Sequence, residues 1–365
     1  MTPPPDPGSF RAEFPVLERL SYLNAGTEGP VPRAAAEAAR ARIELEETQG
    51  RCGRPYFDDL REMASRLREG YASVLGCAAS LVALTGSTTD GVNTVLAGLD
   101  LRAGDEILTS DEEHPGLLAP LGLARRRHGV NVRVLPFREL AGEVSSSTRL
   151  VACSHVSWVN GKVADIAALR AAGAPVLLDA AQALGAVPVD VRALGVDFYA
   201  ASGQKWLCGP EGSGCLYVRP ERLDELTIPW PGYSSVADPE QALEFEPAEG
   251  VKRLDHGFPT GLKSAWALAS LAALGRPGWS WVHERAASLA ASLADRLAEL
   301  GLPVCDRDRS TLVSWQVDDA AAETERFAVS GFVLRSIPGR ELVRASVGAW
   351  SSEEELDRFA QLAAG

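Results

Sequence analysis

The sequence has no paired cysteine motif. Its 6 cysteines stand at 52, 77, 153, 208, 215 and 305, with no CxxC among them. That excludes both a zinc pattern and a disulfide framework, and the chain is expected to be reduced and cytoplasmic. No apolar run approaches the roughly 18 residues that cross a bilayer, so no membrane span is expected. The opening MTPPPDPGSF has no basic region leading into an apolar stretch. It reads as a Pro-rich lead rather than a secretory signal. There is no internal repeat. Positive charge is in short supply: 36 Lys and Arg face 49 Asp and Glu, a net charge of −13. Such a balance disfavours general nucleic-acid binding, because phosphate repels it, and suits solubility.

What is present is ordinary globular composition, 46% hydrophobic and 23% charged over 365 residues. That exceeds one comfortable core, so a large domain and a smaller one are expected. From about residue 81 to 218, short apolar runs alternate with Ala-rich helical stretches. LVALT (81–85), DEILTS (105–110), NVRVLPF (131–137), RLVACSH (149–155), APVLLDA (174–180), VDFYAAS (196–202) and GCLYVR (214–219) read as strands. Strands alternating with helices predict βαβ units and an α/β fold with a mainly parallel sheet. Burial on both faces explains runs such as PVLLDA that do not alternate. Residues 230–252 read as an irregular excursion, and 263–300 as one long helical region. TLVSWQV, FVLRSI and LVRASV are expected as short C-terminal strands, and a helix capped by Ser351 or Ser352 follows.

In a parallel sheet, ligands sit beyond the carboxyl ends of the strands. Polar clusters fall at five predicted strand ends: 85–90, 113–114, 154–157, 179–182 and 202–205. TGSTTDG offers backbone N–H groups and hydroxyls at a helix start, either a phosphate cradle or a simple cap by Ser87 or Thr88. It lacks the GK[ST] ending of a nucleotide loop, and GPEGSG reads as a turn into a strand. Asp179 ends an apolar strand, so its carboxylate needs a donor, either a protonated ring nitrogen or a helix cap. Lys205 follows 26 residues later. It is either a loop lysine in water or an amine whose pKa is lowered by desolvation, and so a nucleophile. A phosphate cradle, a carboxylate for a pyridinium and an amine for an imine are together what pyridoxal 5′-phosphate (PLP) requires.

The segment LLDAAQALGAVPVDVRALGVDFYAASGQKWLCGPEGSGCLYVRPE resembles the lysine segment of class V aminotransferases, a group of PLP fold type I. The group includes cysteine desulfurases, isopenicillin-N-epimerase-like proteins, kynureninases and C–S lyases. The likeness runs from YLNAGTEGPVP (22–32) to VRASVGAWSSEEELDRF (343–359). Its most specific part is the D-x-x-Q … S-x-[HQ]-K spacing. The resemblance implies Lys205 as the Schiff-base lysine, Asp179 as pyridinium partner and Gln182 as hydrogen-bond partner of the phenolic oxygen. It implies Thr88, Thr89, Ser202 and Gln204 at the phosphate, His114 stacked on the ring and Arg344 on the substrate carboxylate. Asn24 belongs to the same set, and Arg54 and Trp158 are candidates for reading the substrate side chain. A second acid on the substrate would suit Arg54. Where relatives place a phosphate-contacting Thr from the partner subunit, Phe258 stands here, with Thr260 as the substitute.

The resemblance further implies an amino-acid substrate, a homodimer with sites completed across the interface, and transamination first, with a C–S lyase or an epimerase as alternatives. Desulfurases carry a cysteine shortly before that arginine; the stretch 328–344 has none, which disfavours a persulfide-forming enzyme. The expected layout is an N-terminal segment over 1–20 packing near the small domain, a PLP-binding domain over 21–255, and a connecting helix with the small domain over 256–365.

Overall fold

The computed structural model describes residues 6–257 and 260–365. In chain order the elements begin with α1 (Pro7–Ala12), β1 (Ser21–Tyr22), α2 (Arg33–Gln49) and α3 (Gly53–Leu75). The alternating region follows as β2 (Val82–Thr85), α4 (Thr88–Gly98), β3 (Glu106–Ser110), α5 (Pro115–His128), β4 (Asn131–Leu135), β5 (Thr148–Ser154), α6 (Ile166–Ala171), β6 (Val176–Asp179), α7 (Val191–Leu194), β7 (Phe198–Ser202) and β8 (Gly214–Val218). The remainder is α8 (Gly261–Gly275), α9 (Trp279–Glu299), β9 (Leu312–Gln316), α10 (Ala320–Val329), β10 (Phe332–Val333), β11 (Arg335–Ser336), β12 (Leu342–Ser346) and α11 (Glu353–Ala364).

The seven strands β2 to β8 form one sheet in the order β2-β8-β7-β6-β5-β3-β4. Every neighbouring pair is parallel except the two that involve β8. The central strands β6 and β7 are buried along their whole length and β5 at all but Arg149, as both faces of a parallel sheet require. Two hydrophobic clusters lie on this sheet: one with Leu178, Tyr199 and Trp206, the other with Leu177, Phe198 and Leu216. Leu177 and Leu178 therefore send their side chains to opposite faces, as strand alternation dictates. A third cluster, around Trp315, Phe327 and Phe359, sits under the three-stranded sheet β11-β12-β9.

Two C-terminal readings change in detail. The helical region 263–300 is two helices, α8 and α9, because Pro277 removes a backbone donor and Gly278 stands at φ 89°. FVLRSI is likewise two short strands. Phe332–Val333 pairs in parallel with β1, whereas Arg335–Ser336 pairs antiparallel with β12. Helix α9 spans both cores: Val282 and Ala286 pack with the main cluster, and Leu289, Leu293 and Leu297 with the third. Residues 230–252 hold only short 3-10 turns. Ser352 caps α11 by accepting from the Glu355 N–H at 3.2 Å. Among the described residues, no helix is long and apolar enough to cross a membrane.

Candidate active site

A cavity of about 220 Å³ opens at the carboxyl ends of the central strands, where the five polar clusters meet. Its wall includes Gly26–Glu28, Ser87–Thr89, His114, Trp158, Asp179, Gln182, Ser202, Gln204, Lys205 and Arg335. Three elements bring these together. The sheet supplies Asp179 and Ser202 from the last positions of β6 and β7. The loop after β1 supplies Gly26–Glu28, and the small sheet supplies Arg335.

At one end, the start of α4 is fixed to β7. Ser202 Oγ accepts from the Thr88 N–H at 3.0 Å and shares a 2.7 Å bond with Thr88 Oγ1. Ser87 Oγ caps the helix by accepting from Asp90 N–H at 3.1 Å. The cap is therefore real and coexists with an anion cradle, since the dipole and remaining donors face the cavity mouth. Gln204 Oε1 is buried there with no hydrogen-bond partner. Such an orphan in a native fold calls for a ligand or water.

Asp179 is buried, and its Oδ1 accepts from the Ala181 N–H at 2.9 Å. Burial raises its pKa, while Lys205 and the Ala181 bond pull it back. Burial pushes the Lys205 amine down to about 8; Asp179 opposes that shift, and Arg344 and Arg335 reinforce it. His114 caps α5, its Nδ1 accepting from Gly116 N–H at 3.0 Å. That bond fixes the ring proton on Nε2 in the neutral form. Burial, with Lys205, Arg335 and Arg344 nearby, lowers the His114 pKa to about 4. Its ring meets Trp158 edge-on at 4.9 Å. Gln182 links two walls, its Nε2 donating to the Gly26 carbonyl at 2.8 Å and its Oε1 accepting from Trp206 Nε1 at 3.1 Å.

Arg344 lies beside the cavity, fully buried. Its Nη1 donates to the Trp158 carbonyl at 2.6 Å, while Nε and Nη2 have no partner. Burial and the neighbouring Arg335 lower its pKa to about 9. Gly26 must be glycine here. A Cβ would stand 2.7 Å from Arg344 Nη2 and from Ser346 Oγ, and 2.8 Å from Gln182 Oε1.

Besides Arg344, three expected residues do not line the cavity. Arg54 sits in the first turn of α3 with its side chain 90% exposed, paired to Asp58 at 3.4 Å. Within this chain the helix points it into water, away from the chain's own cavity. Asn24 Oδ1 accepts from Thr27 Oγ1 at 2.8 Å and so braces the loop from behind. Thr260 is exposed at the start of α8, and Phe258 lies outside the described residues.

Sequence reasoning missed three residues. Arg335 needs the register of the small sheet to find the cavity. Glu28 lies in the YLNAGTEGP segment; burial and Glu211 push its carboxyl up to about 7, against the pull of Lys205. Glu112 is buried beneath Trp158, where Ser157 Oγ, Asn160 Nδ2 and Lys162 Nζ all donate to it at 2.5, 2.9 and 3.0 Å. It ties together the loop SHVSWVNG.

The Aminotransferase class-V family model matches residues 56–359. The isopenicillin N epimerase of Streptomyces clavuligerus is 31% identical over 379 aligned residues, 93% of this chain and 92% of that one. The chain belongs to the class V aminotransferase family. A cysteine desulfurase of Salmonella gallinarum is 34% identical over 261 residues, 62% of this chain and 61% of that protein. Among solved structures, a C-DES mutant with glycine covalently linked to its PLP cofactor is 28% identical, with a TM-score of 0.91 over 99% of both chains. The complex of the cystine C–S lyase C-DES with cysteine persulfide gives 0.90 over 96% of this chain and 99% of that one, again at 28% identity. The class V chain thus has the PLP-dependent fold type I architecture, with its mainly parallel sheet and cavity at the strand ends.

Proposed function

We propose that this protein is a PLP-dependent enzyme that works at the α-carbon of an amino acid and expels a β-substituent, a lyase of the C–S type. The observation that carries the reading is Lys205. It is the lysine on the cavity wall, its pKa is depressed to about 8, and it shares the wall with the buried Asp179. The fit to PLP rests on two unsatisfied groups, the orphaned Gln204 Oε1 and the two free donors of Arg344, and on the Lys205 side chain that lines the cavity. Ser202, Thr88, Thr89 and Gln204 would hold the phosphate, Asp179 the ring nitrogen, Gln182 the phenolic oxygen, and Lys205 the aldehyde carbon. Bound there, PLP supplies an electron sink that acidifies the α-proton of an attached amine.

The chain's own groups do the rest. Arg344 offers a fork, Nε and Nη2, to the substrate carboxylate. Freed from the cofactor, Lys205 accepts the α-proton; a pKa near 8 places it close to the optimum for an acid–base group at neutral pH. Neutral His114 offers a flat ring without a competing charge. The likeness to C-DES supports elimination over transamination, whereas the epimerase relative supports α-carbon reprotonation as the second reading. A persulfide-forming desulfurase remains disfavoured: 328–344 has no cysteine, and half-buried Cys305 lies away from the cavity wall.

The family resemblance implies a homodimer, and exposed Thr260 is free to reach the other copy's cavity; a PLP-loaded monomer in sedimentation overturns that part. The test of the core reading is optical. Purified protein should carry a visible band that shifts with pH and disappears in Lys205→Ala. A panel of amino acids and cysteine S-conjugates, scored for keto acid, ammonia and racemised product, then decides the reaction. A protein that stays colourless with added PLP refutes the proposal.

A further inference from the structure

Two guanidiniums meet at this cavity, and among the described residues neither has a carboxylate partner. Arg335 and Arg344 are direct cross-strand neighbours of β11 and β12, so their side chains leave the same face of the small sheet with Cα atoms about 5 Å apart. Elsewhere in the chain buried or partly buried arginines do find acids: Arg42 pairs with Glu46 and Asp59, and Arg68 with Asp255. In a protein of net charge −13, acids were available to pair with these two as well.

The two groups are not redundant. Arg344 is sealed behind Gly26 and Trp158, and its unpartnered Nε and Nη2 form one fork, enough for one carboxylate. Arg335 lines the cavity itself. Its Nη1 donates to Thr27 Oγ1 at 3.3 Å and its Nε to the Ser336 carbonyl at 3.2 Å, leaving Nη2 without a protein acceptor. Its guanidinium carbon lies 5.7 Å from the centre of the Trp158 ring, whose carbonyl takes Arg344. Trp158 therefore touches both cations, Arg335 through its ring and Arg344 through its carbonyl. Two cations cost free energy in a half-dry cleft unless anions join them. The acids on the same wall are Asp179 and Glu28. Asp179 counters Lys205, and Glu28, with its carboxyl at about 7, is mostly protonated at mildly acid pH.

We propose that the substrate is an amino acid with a second anionic group: its α-carboxylate takes the Arg344 fork, and its side-chain acid takes Arg335. The acid that sequence reasoning assigned to Arg54 is thereby placed on Arg335. This inference rests on the reading of the cavity as a PLP site, and the experiment separates the two.

PLP-loaded protein, verified by its visible band, is titrated calorimetrically at about pH 6.5 with succinate, glutarate, butyrate and valerate, which bind without reacting. The expected result is that a dicarboxylate binds about tenfold or more tightly than the monocarboxylate of equal chain length, the share of one charge-assisted contact. In Arg335→Gln that ratio falls below about threefold, and Arg335→Lys restores part of it. Protein that stays colourless with added PLP overturns the PLP reading beneath. A normal band with equal affinities, or a preference that persists in Arg335→Gln, overturns this inference alone.

Discussion

Replacing Arg344 with Met should stabilise the ligand-free protein while removing its grip on a carboxylate. The guanidinium is fully buried, has one hydrogen bond, and has its pKa lowered to about 9 by burial and by Arg335. Keeping such a group charged in the fold costs on the order of 5 kcal/mol. The sign follows from linkage. The folded-state pKa lies below the unfolded one, so the cost is fully present below pH 9 and lessens as pH rises through that value. At pH 7 the whole cost applies. Met removes it, and gives up the 2.6 Å bond to the Trp158 carbonyl, worth roughly 1.5–3 kcal/mol for a charged donor. The net gain is about 2 kcal/mol, a rise in Tm of about 2–3 °C for a chain of this length. The lost fork, two charge-assisted bonds, should weaken carboxylate binding by roughly a hundredfold or more. Calorimetric unfolding of ligand-free protein gives the first number, and amino-acid-induced spectral change of the PLP-loaded protein gives the second. A Tm lower by several degrees, with substrate saturation unchanged, would refute the argument and make Arg344 a structural residue.

Three further outcomes follow from the same geometry. Gly26→Ala places a Cβ 2.7 Å from Arg344 Nη2, so amino-acid affinity should fall about tenfold or more although no polar group is lost; unchanged affinity means the fork lies elsewhere. Glu112→Ala strands two buried donors, Ser157 Oγ and Asn160 Nδ2, and the partly buried Lys162 Nζ, and should cost about 3 kcal/mol in urea unfolding, with a shift in tryptophan emission from Trp158. In ligand-free protein, amine-reactive labelling of Lys205 should rise with a midpoint near pH 8. Asp179→Asn should move that midpoint down, because the lost carboxylate favoured the ammonium form. A midpoint at about 10 or above, that of a free lysine, contradicts the buried placement.

The alternation of strands and helices from 81 to 218 is visible in the chain because each strand is buried on both faces and each connection is short. Position in that alternation also locates Asp179, Ser202 and Lys205. They fall at or just after the carboxyl ends of β6 and β7, and parallel strands deliver their ends to one edge. His114 and Thr88–Thr89 are found by the same rule at the ends of β3 and β2. Where local pattern was all there was, detail suffered. The break at Gly275–Gly278 and the division of FVLRSI between two sheets depend on partners far away in sequence.

The sequence by itself determined the sheet, its ligand edge and the residues standing on that edge, because periodicity and strand direction are local properties written in consecutive residues. Only the tertiary structure decided which charges meet there. Arg54 looked available and the helix turns it into water. Arg335 looked unremarkable, and the register with β12 sets it beside Arg344 on the cavity wall. Glu112, 45 residues before Ser157 in neither strand nor helix, becomes the hub under Trp158. A charge's partners depend on distance in space, and no spacing along the chain encodes that distance.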